Sequence, residues 1–282
     1  RDQTGKKFSK SLGNSPDPFD LFKEFGTDAT RFGTMLMAPQ GLDVLFSKDR
    51  LEIGKNFMNK LWNASRFIQM NLDEVDTEKI KLEDLDLDLP EQWIITRLNE
   101  TALKVNEELE RFRFNEAAKA IYEFTWSDFC DWYIEIAKTR FYGSDKQKAK
   151  EAQVVCTFVI KGILTLLHPY APFITEEIWS YFKNDTDKDL IVSPWLKGDR
   201  SIQNSESNDS VDLLKQLVTA IRTIRSSMNV PQDKKANILI RGVGDYRSKI
   251  ESFEDIMMAL GRIDSLTLAD ELEKPPQSAT AV

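Results

Sequence analysis

Histidine and cysteine are almost absent from this 282-residue sequence, which has one His and two Cys. His168 has no second imidazole to share a metal with. Cys130 and Cys156 form no Cys-x-x-Cys pair, and each sits in an apolar helical pattern that predicts a buried free thiol. A disulfide framework, a zinc finger and a two-histidine catalytic site are therefore excluded. No apolar run is long enough to cross a bilayer, and Arg1-Asp2-Gln3-Thr4 lacks the apolar stretch of a signal peptide, so the expected location is the cytoplasm and no membrane partner is expected. No internal repeat, heptad series or strand-glycine-helix phosphate motif stands out. Positive charge is also in deficit: 38 Lys and Arg against 46 Asp and Glu give a net charge of −8, which argues against indiscriminate coating of nucleic acid.

The charge is unevenly spread. Residues 1–14 carry Arg1, Lys6, Lys7 and Lys10 against Asp2 alone, and residues 31–70 carry Arg31, Lys48, Arg50, Lys55, Lys60 and Arg66 against Asp43, Asp49 and Glu52. A polyanion should therefore meet the N-terminal quarter. The compensating acid lies in Asp73 to Glu91, which reads as a solvated connector.

The periodicity predicts a mainly α-helical fold. Helices are expected at Pro18–Phe25, capped by Asp17, and at Thr27–Met37, with a longer one from Ser47 to Leu72. On that long helix Gly54, Phe57, Met58, Leu61, Ser65, Ile68 and Leu72 share one face. Glu52, Asn56, Asn59, Lys60, Asn63, Arg66 and Phe67 share the other, an amide-rich basic face. Further helices are expected at Glu91–Arg111, Asn115–Tyr142, Lys146–Leu167 and Thr175–Phe182, with breaks at Gly143-Ser144 and Pro169 to Pro172. The Asn115 helix is apolar around most of its circumference, so it belongs at the bundle's centre, with Trp126 and Trp132 in the core. Ser201–Ser210 has a linker composition and marks a domain boundary. Beyond it a helix at Val211–Ser227, short strands at Ala236–Arg241 and Ser265–Ala269, and a helix near Asp245–Leu260 make a small α/β appendage, followed by a frayed tail from Glu271.

The densest local signal is Gly5-Lys6-Lys7-Phe8-Ser9-Lys10-Ser11-Leu12-Gly13-Asn14, followed by Asp17-Pro18. Read alone, Lys-x-Ser-Lys-Ser could be a solvated surface loop. The whole block resembles the lysine signature loop of class I aminoacyl-tRNA synthetases, with the Ser-Leu-Gly-Asn continuation of the Val/Ile/Leu subgroup. Phe8 departs from the methionine usual there; a bulky apolar anchor can still seat the loop. Forming an aminoacyl adenylate expels pyrophosphate from ATP, so preorganised ammonium groups stabilise the charge that builds on the departing phosphates. The resemblance implies that Lys7 and Lys10 contact those phosphates, that Ser9 and Ser11 supply further donors, and that Gly5 and Gly13 let the loop close and reopen.

Gly41-Leu-Asp-Val-Leu-Phe-Ser47 and the run Gly54 to Phe67 look like the valine-specific branch of that subgroup. Phe124 to Glu135 and Leu167 to Trp179 resemble its helical anticodon-binding domain. The resemblance covers nearly the whole chain and implies three parts: residues 1–46 as the end of a catalytic domain with the signature loop and a stem-contact segment, 47–200 as the anticodon-binding helical bundle, and 201–282 as a small α/β domain. It implies ATP with Mg²⁺ and valine as ligands of a complete enzyme and tRNA(Val) as the partner of a monomer, with no metal site in these residues. The family's histidine signature, amino-acid pocket and editing insertion lie upstream of the lysine loop, so this chain alone is expected to be inactive.

Unpaired bases are read by amide and guanidinium hydrogen bonds and by stacking, while Lys and Arg take phosphates. Asn56, Asn59, Lys60, Asn63, Arg66 and Phe67 are the candidate tRNA contacts, although a solvated amphipathic face explains the same pattern equally well. His168 reads as a helix-end packing residue, with no nucleophile motif beside it. Two other readings stay open: a non-enzymatic RNA-binding or protein-interaction bundle, and a fragment of an isoleucyl or leucyl relative.

Overall fold

A computed structural model describes residues 1–9, 11–72, 80, 82–184, 186–271, 273–276 and 278–281. Lys10, residues 73–79 and 81 of the acidic connector, Asp185, Leu272, Gln277 and Val282 lie outside the described residues.

Helix α1 (Pro18–Phe25) starts where its cap predicts, with the Asp17 carboxylate accepting from the Phe19 amide, and α2 (Thr27–Leu36) follows after Gly26. Helix α3 (Lys48–Met70) follows, capped by Ser47, and buries Leu51, Gly54, Phe57, Met58, Leu61, Ala64, Ser65 and Ile68. Helices α2 and α3 cross at two glycines. A Cβ at Gly33 would lie 2.6 Å from the Arg50 carbonyl oxygen, and one at Gly54 would overlap the Ala29 carbonyl oxygen. Only glycine lets the two backbones approach this closely. Phe32, fully buried, then packs against Phe57 with the rings tilted and 4.9 Å apart, and meets Tyr170 edge-on at 6.3 Å. Helices α1 and α2 therefore share the core of the bundle rather than standing apart from it.

The bundle is completed by α4 (Leu89–Glu110), α5 (Phe114–Glu123), a π-helix (Phe124–Tyr133), α6 (Ile134–Phe141), α7 (Lys146–Leu167) and α8 (Pro172–Phe182). The single helix expected over Asn115–Tyr142 is thus a run of three segments with a π-helical middle. Widening the turn changes which side chains face inward, so Phe124, Thr125, Phe129, Cys130 and Tyr133 are buried while Trp126 and Trp132 are half-buried at the edge of the core.

Four further expectations need correction. Helix α8 begins at Pro172, not Thr175, because Pro172 occupies the first turn, where a missing N–H costs nothing, and the cap comes from another helix. The Ser201–Ser210 stretch is not a free linker: α9 (Ser205–Ser227) starts inside it, with Ser207 and Ser210 fully buried. Their hydroxyls donate to the Asn204 and Glu206 carbonyls, which satisfies them without a tertiary partner. Asn99 of α4 bonds the Asp199 and Ile202 carbonyls and Asn204 bonds Gln92, so this stretch is laced onto the bundle. The acidic connector does not end in solvent either, since Glu91 is buried at 3% exposure on α4. Finally, the helix expected near Asp245–Leu260 is divided at Phe253 into α10 (Arg247–Ser252) and α11 (Glu254–Gly261).

Strands β1 (Ala236–Arg241) and β2 (Ile263–Ala269) pair in parallel, Ile238 opposite Leu266 and Ile240 opposite Leu268. The α/β piece has its own apolar cluster of Leu214, Val218, Ile221, Ile250, Phe253, Ile256, Met257 and Ile263. That cluster is continuous with Ile136 and Trp132 of the bundle.

Candidate nucleotide and RNA interfaces

The lysine-rich segment forms a closed loop. The Asp2 carboxylate accepts from the Thr4 backbone N–H at 3.0 Å, the Thr4 hydroxyl at 2.8 Å and the Lys6 N–H at 2.9 Å, and its second oxygen accepts from the Asn14 amide at 2.9 Å. Asn14 in turn accepts from the Ser9 N–H at 2.9 Å. These bonds, led by that from Asn14, hold the Asp2 carboxyl down at about 2, well below its ordinary 3.8. Gly5 and Gly13 both have positive φ, 83° and 63°, at the two bends. Phe8 meets Phe46 edge-on at 6.0 Å, an apolar anchor for the loop.

The Lys7 side chain is exposed, and the Ser9 and Ser11 hydroxyls are 2.7 Å apart. Lys10 lies outside the described residues, so the loop's geometry speaks for Lys7, Ser9 and Ser11 only. An exposed ammonium and a hydroxyl pair on the same short loop are donor chemistry that fits phosphate oxygens. Among the described residues, no group of three or more His, Cys, Asp or Glu side chains gathers to hold a metal ion. The clasp made by Asp2 and Asn14 had no signal in the pattern of residue types; only the contact across the loop shows it.

The loop's segment is fastened to the bundle by α2. Asp28, 7% exposed, accepts from the Ile174 and Phe173 N–H groups at 2.6 and 3.4 Å, serving as the cap α8 lacks at Ala171. Burial nevertheless raises the Asp28 carboxyl pKa, outweighing those two bonds. Arg31 donates to the Pro169 and Tyr170 carbonyls at 3.0 and 3.3 Å. A helix that opens with Ala-Pro and no capping side chain is the sequence signal for such a distant cap. His168 closes α7: its Nδ1 lies 2.8 Å from the Thr175 hydroxyl, and burial lowers its pKa. The hydroxyl donates to the Ala171 carbonyl at 2.7 Å, so Nδ1 carries the proton toward it and the ring packs as a neutral group.

On α3 the outward strip is formed by Glu52, Asn56, Asn59, Asn63 and Arg66, all exposed. None of the three Asn side chains hydrogen-bonds elsewhere among the described residues, so all three amides face solvent ready to donate and accept. The strip's edges are different. Lys60 leaves it to pair with Asp131, its ammonium 4.0 Å from the Trp126 ring centroid. Phe67 packs on Phe141 at 5.9 Å under the Lys138 ammonium. On the other side Trp62 meets Tyr181, 42% exposed, edge-on at 6.2 Å. The six candidate contacts therefore divide into four free residues, Asn56, Asn59, Asn63 and Arg66, and two engaged ones, Lys60 and Phe67. The signature loop and this strip are separate sites.

Family comparison agrees with a synthetase segment leading into a helical RNA-binding bundle. The model of the anticodon-binding domain of tRNA ligase matches residues 91–240, and that of class I tRNA synthetases (I, L, M and V) matches residues 1–47. The chain belongs to the family of tRNA ligase anticodon-binding domains. Along its whole length it is similar to valine–tRNA ligases: 42% identical to that of Fusobacterium nucleatum, 40% to that of Syntrophotalea carbinolica and 35% to that of Bacillus subtilis. It spans 32% of the length of each and aligns with their C-terminal third. Among solved structures, the Agrobacterium radiobacter K84 agnB2 LeuRS–tRNA–LeuAMS ternary complex matches 71% of this chain and 23% of that one. The TM-score is 0.53 at 22% identity, a likeness of fold.

Proposed function

We propose that this chain is the C-terminal part of a valine–tRNA ligase, contributing the lysine signature loop and the anticodon-binding bundle to an enzyme that joins valine to tRNA(Val). The observation that carries the proposal is the order of the two family matches along a chain similar throughout to valine–tRNA ligases. The parts are residues 1–46, 47–200 and 201–282, with α1 and α2 of the first packed into the core of the second.

ATP, with its Mg²⁺, supplies the activated phosphate when bound. Lys7 and Lys10 would contact the departing phosphates, and Ser9 and Ser11 would supply further donors to phosphate oxygens. Charge building on the leaving pyrophosphate then meets ammonium groups already in place, which lowers the barrier without a proton transfer by this segment. Asn56, Asn59 and Asn63 bond unpaired anticodon bases and Arg66 takes a backbone phosphate; Lys60 and Phe67 support the strip from its edge. The protein works as a cytoplasmic monomer, and this portion alone neither activates valine nor charges tRNA.

The test is a salt titration of binding to tRNA(Val) and to an anticodon-swapped transcript, with Asn59→Ala and Arg66→Ala proteins alongside. A preference for the native anticodon that Asn59→Ala relaxes supports the reading. Equal, purely salt-dependent binding of both RNAs removes the α3 strip as the source of specificity.

A further inference from the structure

We infer that Asp131, on the π-helix, is the base-reading carboxylate of the α3 strip, accepting from the exocyclic amine of an unpaired cytosine or adenine, and that Lys60 and Trp126 hold it in place. This rests on the anticodon reading above and adds a residue from a different element to it. The placement comes first. Lys60 reaches from the edge of the strip across to the π-helix, where its ammonium lies 4.0 Å from the Trp126 ring centroid and pairs with Asp131 Oδ1. The Asp131 side chain is 46% exposed and that of Lys60 26%. Asp131 Oδ2 accepts no hydrogen bond among the described residues.

An ion pair this exposed adds little to stability, so holding the helices together is a weak reason for it. It does place an acceptor-only group, on the neighbouring π-helix, within reach of Lys60 at the edge of the row of amides. Asn56, Asn59 and Asn63 each carry a donor and an acceptor on one rotatable amide, so they can satisfy an amino edge or a carbonyl edge of a base with equal ease. A carboxylate cannot turn round: it welcomes N–H donors and repels both carbonyl oxygens and phosphates. One fixed carboxylate therefore adds a choice between an amino and a carbonyl edge to the base contacts that the amides make. Lys60 offsets part of its repulsion toward the RNA backbone, and the Trp126 face keeps the ammonium from following a phosphate away. The ligand chemistry is consistent with the family: valine codons begin G-U, so the pairing anticodon bases are cytosine and adenine, both bearing exocyclic amines.

The experiment measures binding of the 282-residue chain to a tRNA(Val) transcript and to transcripts in which that cytosine or that adenine is replaced by uracil. Wild type is expected to bind at least one replaced transcript roughly tenfold or more weakly, the scale of one lost base contact. Asp131→Asn should reduce that discrimination to about threefold or less, since the amide accepts either edge. Asp131→Glu, which keeps an acceptor-only group, should retain most of it. The thermal midpoint of each variant is measured in parallel. Wild type binding all three RNAs equally would remove the anticodon reading and this inference together. Wild type discriminating while Asp131→Asn discriminates equally well, or the Asn and Glu variants behaving alike, would overturn the role of Asp131 and leave the anticodon reading standing.

Discussion

Asp28 and Ile174 stand 146 residues apart, and the carboxylate of one meets the backbone N–H of the other at 2.6 Å. A helix start is thereby capped from a different helix, and the segment bearing the lysine loop is tied to the far end of the bundle. Asp28→Ala removes the acceptor for two amide groups and should lower the unfolding free energy by about 1–2 kcal/mol, the usual cost of a lost N-cap. Asp28→Asn keeps an acceptor oxygen and should lose less. Urea unfolding followed by circular dichroism gives both values; an Ala variant as stable as wild type would show that the bond does not anchor α8.

The Gly33–Gly54 crossing predicts a larger loss. Gly54→Ala puts a methyl group against the Ala29 carbonyl, a backbone atom that cannot swing aside. Separating α2 from α3 would disturb the Phe32–Phe57 contact as well, and a loss of about 3 kcal/mol or more is expected. Differential scanning calorimetry should show the melting point falling by several degrees, with Gly33→Ala close behind.

Glu91 predicts a dependence on pH. It is fully enclosed; its nearest cation is the Arg140 Nε at 3.8 Å, too far to hydrogen-bond, and Arg140 spends a shorter bond of 2.9 Å on Asp88. Desolvation therefore wins over that attraction, and the carboxyl pKa rises from 4.5 to about 7. Because the folded value lies above the unfolded one, the contribution to stability is complete below pH 4.5 and is lost as pH rises toward 7, amounting to about 3 kcal/mol across the interval. Glu91→Gln should flatten the stability profile between these values. The Asp88 carboxylate nearby adds to the cost of charging Glu91, while Tyr133 and Cys156, whose own pKa values burial raises, stay neutral throughout.

The clasp on the lysine loop predicts a local change with little global effect. Asp2→Ala should leave the melting point of the bundle nearly unchanged and speed amide exchange at Lys6 and Ser9, whose N–H groups it orders directly or through Asn14. In wild type the same loosening should occur as pH falls through the range from 3.8 toward about 2, where the lowered carboxyl finally takes up its proton. Unchanged exchange at both sites would mean that the loop is ordered by its glycines and Phe8 alone.

Both thiols should be inert. Cys130 is pushed up to about 12 and Cys156 higher by burial, so neither offers thiolate at neutral pH. Labelling by a thiol reagent should stay negligible until denaturant is added, then reach both sites.

Helix positions, caps and the buried stripe of α3 were legible in the sequence because they follow from local rules: Asp17 and Ser47 cap the helices that follow them, and the 3.6-residue period places Asn56, Asn59, Asn63 and Arg66 outward. What was not legible depends on partners far along the chain. Asp28 capping α8, the Asp2–Asn14 clasp and the Lys60–Asp131 pair each join residues whose separation no pattern announces. The early start of α9 was hidden for another reason: a run of Ser, Asn and Asp has a linker's composition, yet each buried hydroxyl found its acceptor one turn back in its own helix. The π-helix was hidden too, since a circumference that is apolar most of the way round shows no narrow stripe whose drift would reveal the wider turn.

The crossing of α2 and α3 is a joint without a cushion. Where bulky side chains separate two helices, a small rotation of one is absorbed by rotamer changes and stops there. At Gly33 and Gly54 backbone lies directly on backbone, and there is nothing compliant between them. A tilt imposed on α3 would therefore be handed to α2, and from α2 to the segment that carries the lysine loop, with the glycine crossing as the fulcrum.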